Sequence, residues 1–374
     1  MTSQYRGYLD GLYSSSPALS GMSYEAQLQA INGGLFAWSD FWLGPFEALG
    51  YETKLHIYNC VPIQQTWAKE NGFAVNLNLA EIAARQIDFF RPDILWFDDC
   101  GAPVDEILCG IKQRPRLVVG WSGSAIPQIR NRYSLDLVLS CAPEAVETLK
   151  QRGMDAAHLN HAFQPSIVEV VGPVSKIRDL AFMGQIIHRE AFHIERERML
   201  EDLVRSGVEL ELFTPQIESD KNHRIPNIAR AKSWAKNLLR GPTRGLSSRL
   251  REVARPPVYG KDMYREVARS RLVLNIHADS SPRYVSNARL FEITGMGSCM
   301  ICDWRANISQ LFDPGTEIVS YRNANECRDA ITQLINYPEQ AVAVAARGQK
   351  RCHKDHNFSV RAVQWHEIIQ ARLR

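Results

Sequence analysis

Residues 284–303, YVSNARLFEITGMGSCMICD, place Asn, Arg, Phe and Glu at the front of a helical pattern, break it with Gly-x-Gly, and close an apolar run with Asp. The front is too polar for a buried helix, and the stretch is too regular for a loop. A short apolar run after a glycine break reads as a buried strand, with the helix packed beside it.

The same strand-and-helix alternation extends in both directions. Upstream, the second half carries strand-like runs at DLAFMG (179–184), VELELFT (208–214) and RLVLNIH (271–277), and downstream at TEIVSY (316–321). The first half repeats it with RPDILWFDD (91–99), PRLVVGWSG (115–123) and LDLVLSCA (135–142), and with weaker runs at 5–14 and 54–59 that read as strands. Strands alternating with helices predict parallel sheets covered on both faces. The expected architecture is α/β: two Rossmann-like doubly wound domains facing a cleft, and a C-terminal helix crossing back. The domains are expected at 1–168 and 169–355, with the helix at 356–374. Ligands of such sheets bind beyond the carboxyl ends of the strands, so the cleft is the default site.

Composition narrows the class without naming it. The 374 residues are 45% apolar and 23% charged, with a net charge of +3, which is ordinary for a soluble protein and gives no sign of a nucleic-acid partner. The first residues lack the basic-then-apolar pattern of a secretory signal, and no apolar run approaches the roughly 18 residues of a membrane span. Eight cysteines, mostly in apolar runs (Cys60, Cys109, Cys141), read as buried thiols of a reduced cytoplasmic protein. Cys299 and Cys302 form a C-x-x-C inside an apolar run, without a second pair at zinc spacing. Residues 221–255 hold ten Lys or Arg against one acid, Glu252. They read either as a solvated helical excursion or as a basic amphipathic patch for an anionic membrane or a diphosphate-bearing acceptor.

In the quoted stretch, a helix starting near Asn287 would turn its first unpaired amides toward the cleft, a setting for phosphate oxygens. Arg289 in that first turn suits a phosphate. Glu292 falls about one turn on, where it can accept two ribose hydroxyls. The plain alternative is a capped helix whose Arg and Glu pair locally.

From residue 139 onward the chain resembles GT-B glycosyltransferases, in particular the CgeB-like branch with a glycosyltransferase-1-type second domain. The likeness rests on LSCAPEAVETLKQRG with HAFQPSI, on DLAFMGQIIHREAFHIERERML, on YGKDMYREVARSRLVLNIHADSSPRYVSNARLFEITGMGSCMICD and its continuation, and on ARGQKRCHKDHNFSVRA. It implies sugar transfer from a nucleotide-sugar donor, with the donor as co-substrate and no other cofactor. The acceptor would be a glycan, lipid-linked or metabolite, in bacterial surface polysaccharide or related synthesis. By resemblance Glu292 grips the ribose, and the backbone from Asn287 to Arg289 cradles the diphosphate. Gly184, His193, Arg196, Asn275 and His277 border the donor. Many retaining members carry two glutamates, the second matching Glu292 and the first falling where this chain has Tyr284, so the chain departs from them there and Tyr284 takes that place beside the donor.

An inverting transfer needs a base from the first domain. Asp40, among aromatics in WSDFW, is one candidate and Asp98, ending ILWFDD, another. Helix amides and Arg289 would stabilise the leaving diphosphate, so no metal is expected. The rival expectations are a nucleotide-sugar epimerase of the same shape and a non-catalytic coat or scaffold protein.

Overall fold

The computed structural model describes residues 1–373 apart from 75, 102, 125–128, 130–133, 188–192, 217–244 and 280. Most of the basic segment 221–255 thus lies outside the described residues.

Two parallel sheets form. The first holds β1 (Ile94–Phe97), β2 (Leu117–Ser122), β3 (Leu137–Ser140) and β4 (Ala156–His158) in that spatial order, with Ile94 opposite Leu117 and Val119 opposite Leu137. Every residue of β2 is buried, as expected of a parallel strand covered on both faces. Beyond β1 the sheet continues only as single residues. Asp98 N–H donates to Met1 O (3.1 Å), and Thr2 pairs in parallel with Ile57.

The second sheet holds β5 (Arg178–Met183), β6 (Glu211–Phe213), β7 (Ala254–Arg255), β8 (Ser270–Asn275), β9 (Cys299–Asp303) and β10 (Val319–Tyr321). Its spatial order is β10-β9-β8-β5-β6-β7. Counted from its own first strand, this is the Rossmann order 3-2-1-4-5-6, which reverses direction between β5 and β8.

The two weak strand expectations fail. Residues 5–14 belong to a helix, Arg6–Ser15, whose Tyr8, Leu9, Leu12 and Tyr13 face one cluster with Ile31 and Ile63. That spacing is helical, and the tyrosines had suggested the wrong period. Within 54–59 only Ile57 bridges. Cys109, expected inside, is exposed at a helix end, whereas the other seven free cysteines are buried. Cys299 and Cys302 both lie in β9, where residues three apart point to opposite faces.

The two glycines of the quoted stretch serve different ends. A Cβ at Gly295 would sit 2.3 Å from the Phe163 ring, so the chain crossing between the sheets needs a bare backbone there. Gly297 adopts φ +71° and ends the helix Arg289–Gly295.

The final helix, Phe358–Leu373, returns to the first sheet. Trp365, 1% exposed, meets Trp96 edge-on at 5.5 Å. His366 Nδ1 lies 2.7 Å from Tyr51 Oη. Arg372 grips Asp155 through two nitrogens at 2.5 and 2.7 Å. One apolar core therefore runs from Val119 and Leu139 through Phe163 and Trp365 to Phe291 and Met300. Truncating Trp365 to Ala would cost about 3–5 kcal/mol. No described helix is long and apolar enough to cross a membrane.

Candidate functional site

Between β5 and β8 neighbouring connections leave the sheet in opposite directions, which opens a crevice outside their carboxyl ends. Gly184 ends β5 and donates to Phe213 O (3.1 Å). Asn275 and His277 end β8. Arg196, from the helix Ile194–Arg205, ties the two strand ends together by donating to Gln185 O (2.8 Å) and Ile276 O (2.6 Å). Burial lowers its guanidinium to about 10. His193, just before that helix, accepts from Ile187 N–H at 3.0 Å. Both residues shape the crevice rim through backbone groups.

Asn275 and Asn287 exchange amide hydrogen bonds of 3.2 and 2.7 Å. His277 sits against Asp303, Nδ1 to Oδ1 2.8 Å, and Arg305 holds the second carboxylate oxygen at 2.7 Å. Burial alone would raise Asp303, but His277 and Arg305 outweigh it and hold the carboxyl below its usual range. His277, Cys302 and Asp303 place their ligand-type atoms within 4.8 Å of one another. The imidazole nitrogen nearest the others is already committed to Asp303, and burial pushes the Cys302 thiol well above its usual range. The trio fits a hydrogen-bonded cluster better than a cation site, which needs a thiolate.

The helix expected to begin near Asn287 begins instead at Arg289. Asn287 Oδ1 takes the Leu290 N–H (3.3 Å), and Ala288 O takes those of Phe291 and Glu292 (2.9 and 3.1 Å). Asn is a strong capping residue, and here its side chain takes one amide of the first turn, that of Leu290. Arg289 and Glu292 pair at 2.7 Å. Tyr264 Oη reaches the other Glu292 oxygen at 3.5 Å. Burial, then Glu292, push the Tyr264 phenol well above its usual range.

Two residues that the sequence reading missed bring the first domain to this crevice. Tyr5, 61% exposed, lies within electrostatic reach of Glu292 and Arg289 as well as Asp98 and Asp99. Its phenol is raised by the protein atoms crowded around it, then by Glu292. Glu144, in the helix Pro143–Gln151, accepts from the N–H groups of Arg283 (3.3 Å) and Tyr284 (3.2 Å). Tyr284 is thus held by its backbone from the opposite domain. No residue pattern marked either contact, because each exists only once the sheets are docked.

The first-domain carboxylates differ. Asp98 accepts from Ser3 N–H at 3.0 Å and from the Ser3 and Thr2 hydroxyls, and burial raises its pKa despite those bonds. Asp40 is exposed on a loop in which three non-glycine residues, Leu35, Ala37 and Ser39, have φ of 55, 55 and 45°. Left-handed backbone of this kind costs of order 1–3 kcal/mol per residue and gathers at functional sites. The loop reaches the second domain, where Lys261 N–H donates to Gly34 O at 2.7 Å.

Two facing α/β domains with a Rossmann-ordered second sheet and a returning terminal helix define the GT-B class. Residues 196–367 match a family model described as glycosyl transferase-like. A glycosyltransferase from Rickettsia africae aligns with TM-score 0.57 at 11% identity, over 92% of this chain and 95% of that one. HepE from Anabaena, in complex with UDP and glucose, aligns with TM-score 0.51 at 11% identity, over 78% and 81%. No curated protein matches the chain in sequence. The structural likenesses carry the fold. With the family match on the second half, they support a glycosyltransferase.

Proposed function

We propose that the chain transfers a sugar from a nucleoside-diphosphate donor, bound by the second domain, to a hydroxyl of an acceptor bound by the first. One observation carries this reading. Arg289 and Glu292 stand together at the reversal crevice of a Rossmann-ordered sheet. On donor binding the Arg289 guanidinium exchanges the Glu292 carboxylate for diphosphate oxygens, and Glu292 is left to accept ribose hydroxyls. The cationic side chain offsets charge on the departing diphosphate without a metal. Arg196 and the Asn275–Asn287 pair hold the strand ends that frame it, with Gly184, His193 and His277 around them.

In an inverting transfer Asp40 is the better-placed base, because Asp98 already serves Thr2 and Ser3. A CgeB-like role in surface glycan synthesis, with a glycan or lipid-linked acceptor at the cytoplasmic membrane face, follows from the resemblance and the basic segment 221–255. Flotation with anionic liposomes that shows no salt-sensitive binding would remove the membrane contact.

HepE of the same fold holds UDP, so a uridine nucleotide is the first donor to try. The test is calorimetric titration with UDP, GDP, CDP, CMP and dTDP. One nucleotide is expected to bind at micromolar strength, and Glu292→Ala to weaken it at least tenfold, about 1.4 kcal/mol. Binding of none would favour a scaffold, in which the Arg289–Glu292 pair is purely local.

A further inference from the structure

Two neighbouring side chains back the Arg289–Glu292 pair from one helix. The helix Gly260–Ala268 buries both Met263 and Tyr264. Met263 Sδ lies against Arg289 Nη1. Tyr264 Oη reaches Glu292 Oε1 at 3.5 Å, while Arg289 Nη1 holds Glu292 Oε2 at 2.7 Å. Burial is graded across these layers. The Arg289 and Glu292 side chains keep 24% and 15% of their surface open, whereas Tyr264 is 3% exposed. A ligand in the crevice meets the pair, and the phenol stands behind it.

Tyr264 is set in place by what surrounds its helix. The Phe163 ring meets its ring edge-on at 6.2 Å, and Val267 and Ala268 are buried on the next turn. The first turn is pinned to the other domain, where Lys261 N–H donates to Gly34 O. Burial and the Glu292 carboxylate keep the phenol protonated, so it donates.

The two holds on Glu292 respond differently to a donor. Diphosphate oxygens compete for the Arg289 guanidinium, which pairs with them bidentately, so the hold on Oε2 is given up. The phenol lies behind the carboxylate and stays on Oε1. An ionised carboxylate offers about four acceptor positions. With one taken by Tyr264, Oε2 and the second lone pair of Oε1 remain, enough for both hydroxyls of a ribose. Without the phenol the freed carboxylate would turn about its terminal bond, a broad and soft torsion, and lose its aim.

We infer that Tyr264 is a positioning residue: by holding Glu292 Oε1 it aims the carboxylate at the paired ribose hydroxyls, so that the site selects ribonucleotide donors over deoxyribonucleotide ones. This role rests on the transfer reading above, in which Glu292 accepts those hydroxyls.

Calorimetric titration of the full chain with UDP, GDP and CDP, and with their 2′-deoxy counterparts, tests it. The nucleotide that binds the wild type is expected to weaken by about tenfold or more when the 2′-hydroxyl is removed, as for a hydrogen bond to a charged group. Tyr264→Phe keeps the ring and should narrow that ratio to about threefold or less, chiefly by weakening the ribonucleotide. Tyr321→Phe is the control. It removes another buried phenol hydroxyl of the same domain, one without a partner among the described residues, and should leave the ratio as in the wild type. Each ratio is taken within one protein, so a shift in the folded fraction cancels. A ribose preference that survives Tyr264→Phe, or that Tyr321→Phe erodes equally, overturns the inference and leaves the transfer reading standing. Binding with no ribose preference in the wild type removes the ribose role of Glu292 and that of Tyr264 with it. Binding of no nucleotide removes the transfer reading on which both rest.

Discussion

The two domains present opposite kinds of surface to the cleft. The second offers strand ends and a short helix whose side chains engage one another, Asn275 with Asn287, Arg289 with Glu292 and His277 with Asp303, and leaves the buried His277 Nε2 without a partner among the described residues. The first offers a loop with three left-handed non-glycine residues and the exposed Asp40 upon it. A paired site is pre-organised for one ligand shape and moves little on binding. A strained loop stores cost that a ligand can relieve. Under the proposed transfer, the first kind of surface suits the donor and the second the acceptor.

Carboxylate exchange in the first domain breaks or upholds that contrast with the largest expected effect. Asp40→Asn should leave the unfolding free energy within the roughly ±0.5 kcal/mol of surface changes and lower transfer by about 10²–10⁴-fold, as for loss of a general base. Asp98→Ala should do something different. It strands Ser3 N–H and the Thr2 hydroxyl, so about 1–3 kcal/mol of stability is lost. Thermal melts and initial rates on the two variants separate the roles. If Asp98→Asn, which keeps the shape, abolishes transfer and Asp40→Asn does not, the assignment is reversed.

Contact between the domains is the next largest. Gly260 has φ +50°, and a Cβ there would lie 2.0 Å from Gly34 O. Gly260→Ala should cost about 2–4 kcal/mol, from left-handed backbone plus overpacking against a main chain that cannot yield. Gly50 also has positive φ, +87°, with nothing within 4 Å, so Gly50→Ala should cost only the backbone share, about 1–2 kcal/mol. Equal losses in a denaturant melt would mean the 33–36 loop gives way and is not a fixed contact.

Acid sensitivity samples both halves together. Burial lowers His56 to about 3 and His356 to about 4. His356 is held neutral by geometry. Arg361 Nη2 lies 2.8 Å from Nδ1, while Nε2 is 2.7 Å from Leu311 O. The unfolded imidazoles take protons near pH 6.5 and the folded ones do not, so stability rises with pH in that window and is lost as pH falls below about 6.5. By pH 5 each histidine should have withdrawn about 2 kcal/mol relative to neutral pH. Melts at pH 7.5 and 5.0 check this, and an unchanged midpoint would place both imidazoles in contact with water.

How much was legible in the sequence follows the same divide. The apolar runs that became β1–β3, β5, β8 and β9 stand out because parallel strands are buried on both faces, and the Rossmann-like order followed from their alternation with helices. Arg289 and Glu292 were visible as a one-turn pair. Tyr5 and Glu144 were not. Tyr5 lies just ahead of a helix whose tyrosines resemble a strand pattern, and Glu144 meets Tyr284 only across the docked domains. The helix start read near Asn287 lies two residues on, at Arg289, because the asparagine side chain takes the Leu290 N–H from outside the helix.

Tyr5 gives the smallest expected effect and the sharpest question about the comparison. Its ring is mostly exposed, so Tyr5→Phe removes only a hydroxyl, and the melting temperature should stay within about 0.5 kcal/mol of wild type. The phenol nonetheless lies within reach of the Glu292–Arg289 pair. If it hydrogen-bonds the donor or its departing diphosphate, kcat/KM should fall roughly three- to tenfold, the value of one ordinary hydrogen bond. A fall in kcat with KM unchanged would put the bond in the transition state, whereas a rise in KM alone would make it a donor anchor. Unchanged kinetics would mean that the cleft stays open on the Tyr5 side, and that the first domain touches the donor only through the loop carrying Asp40.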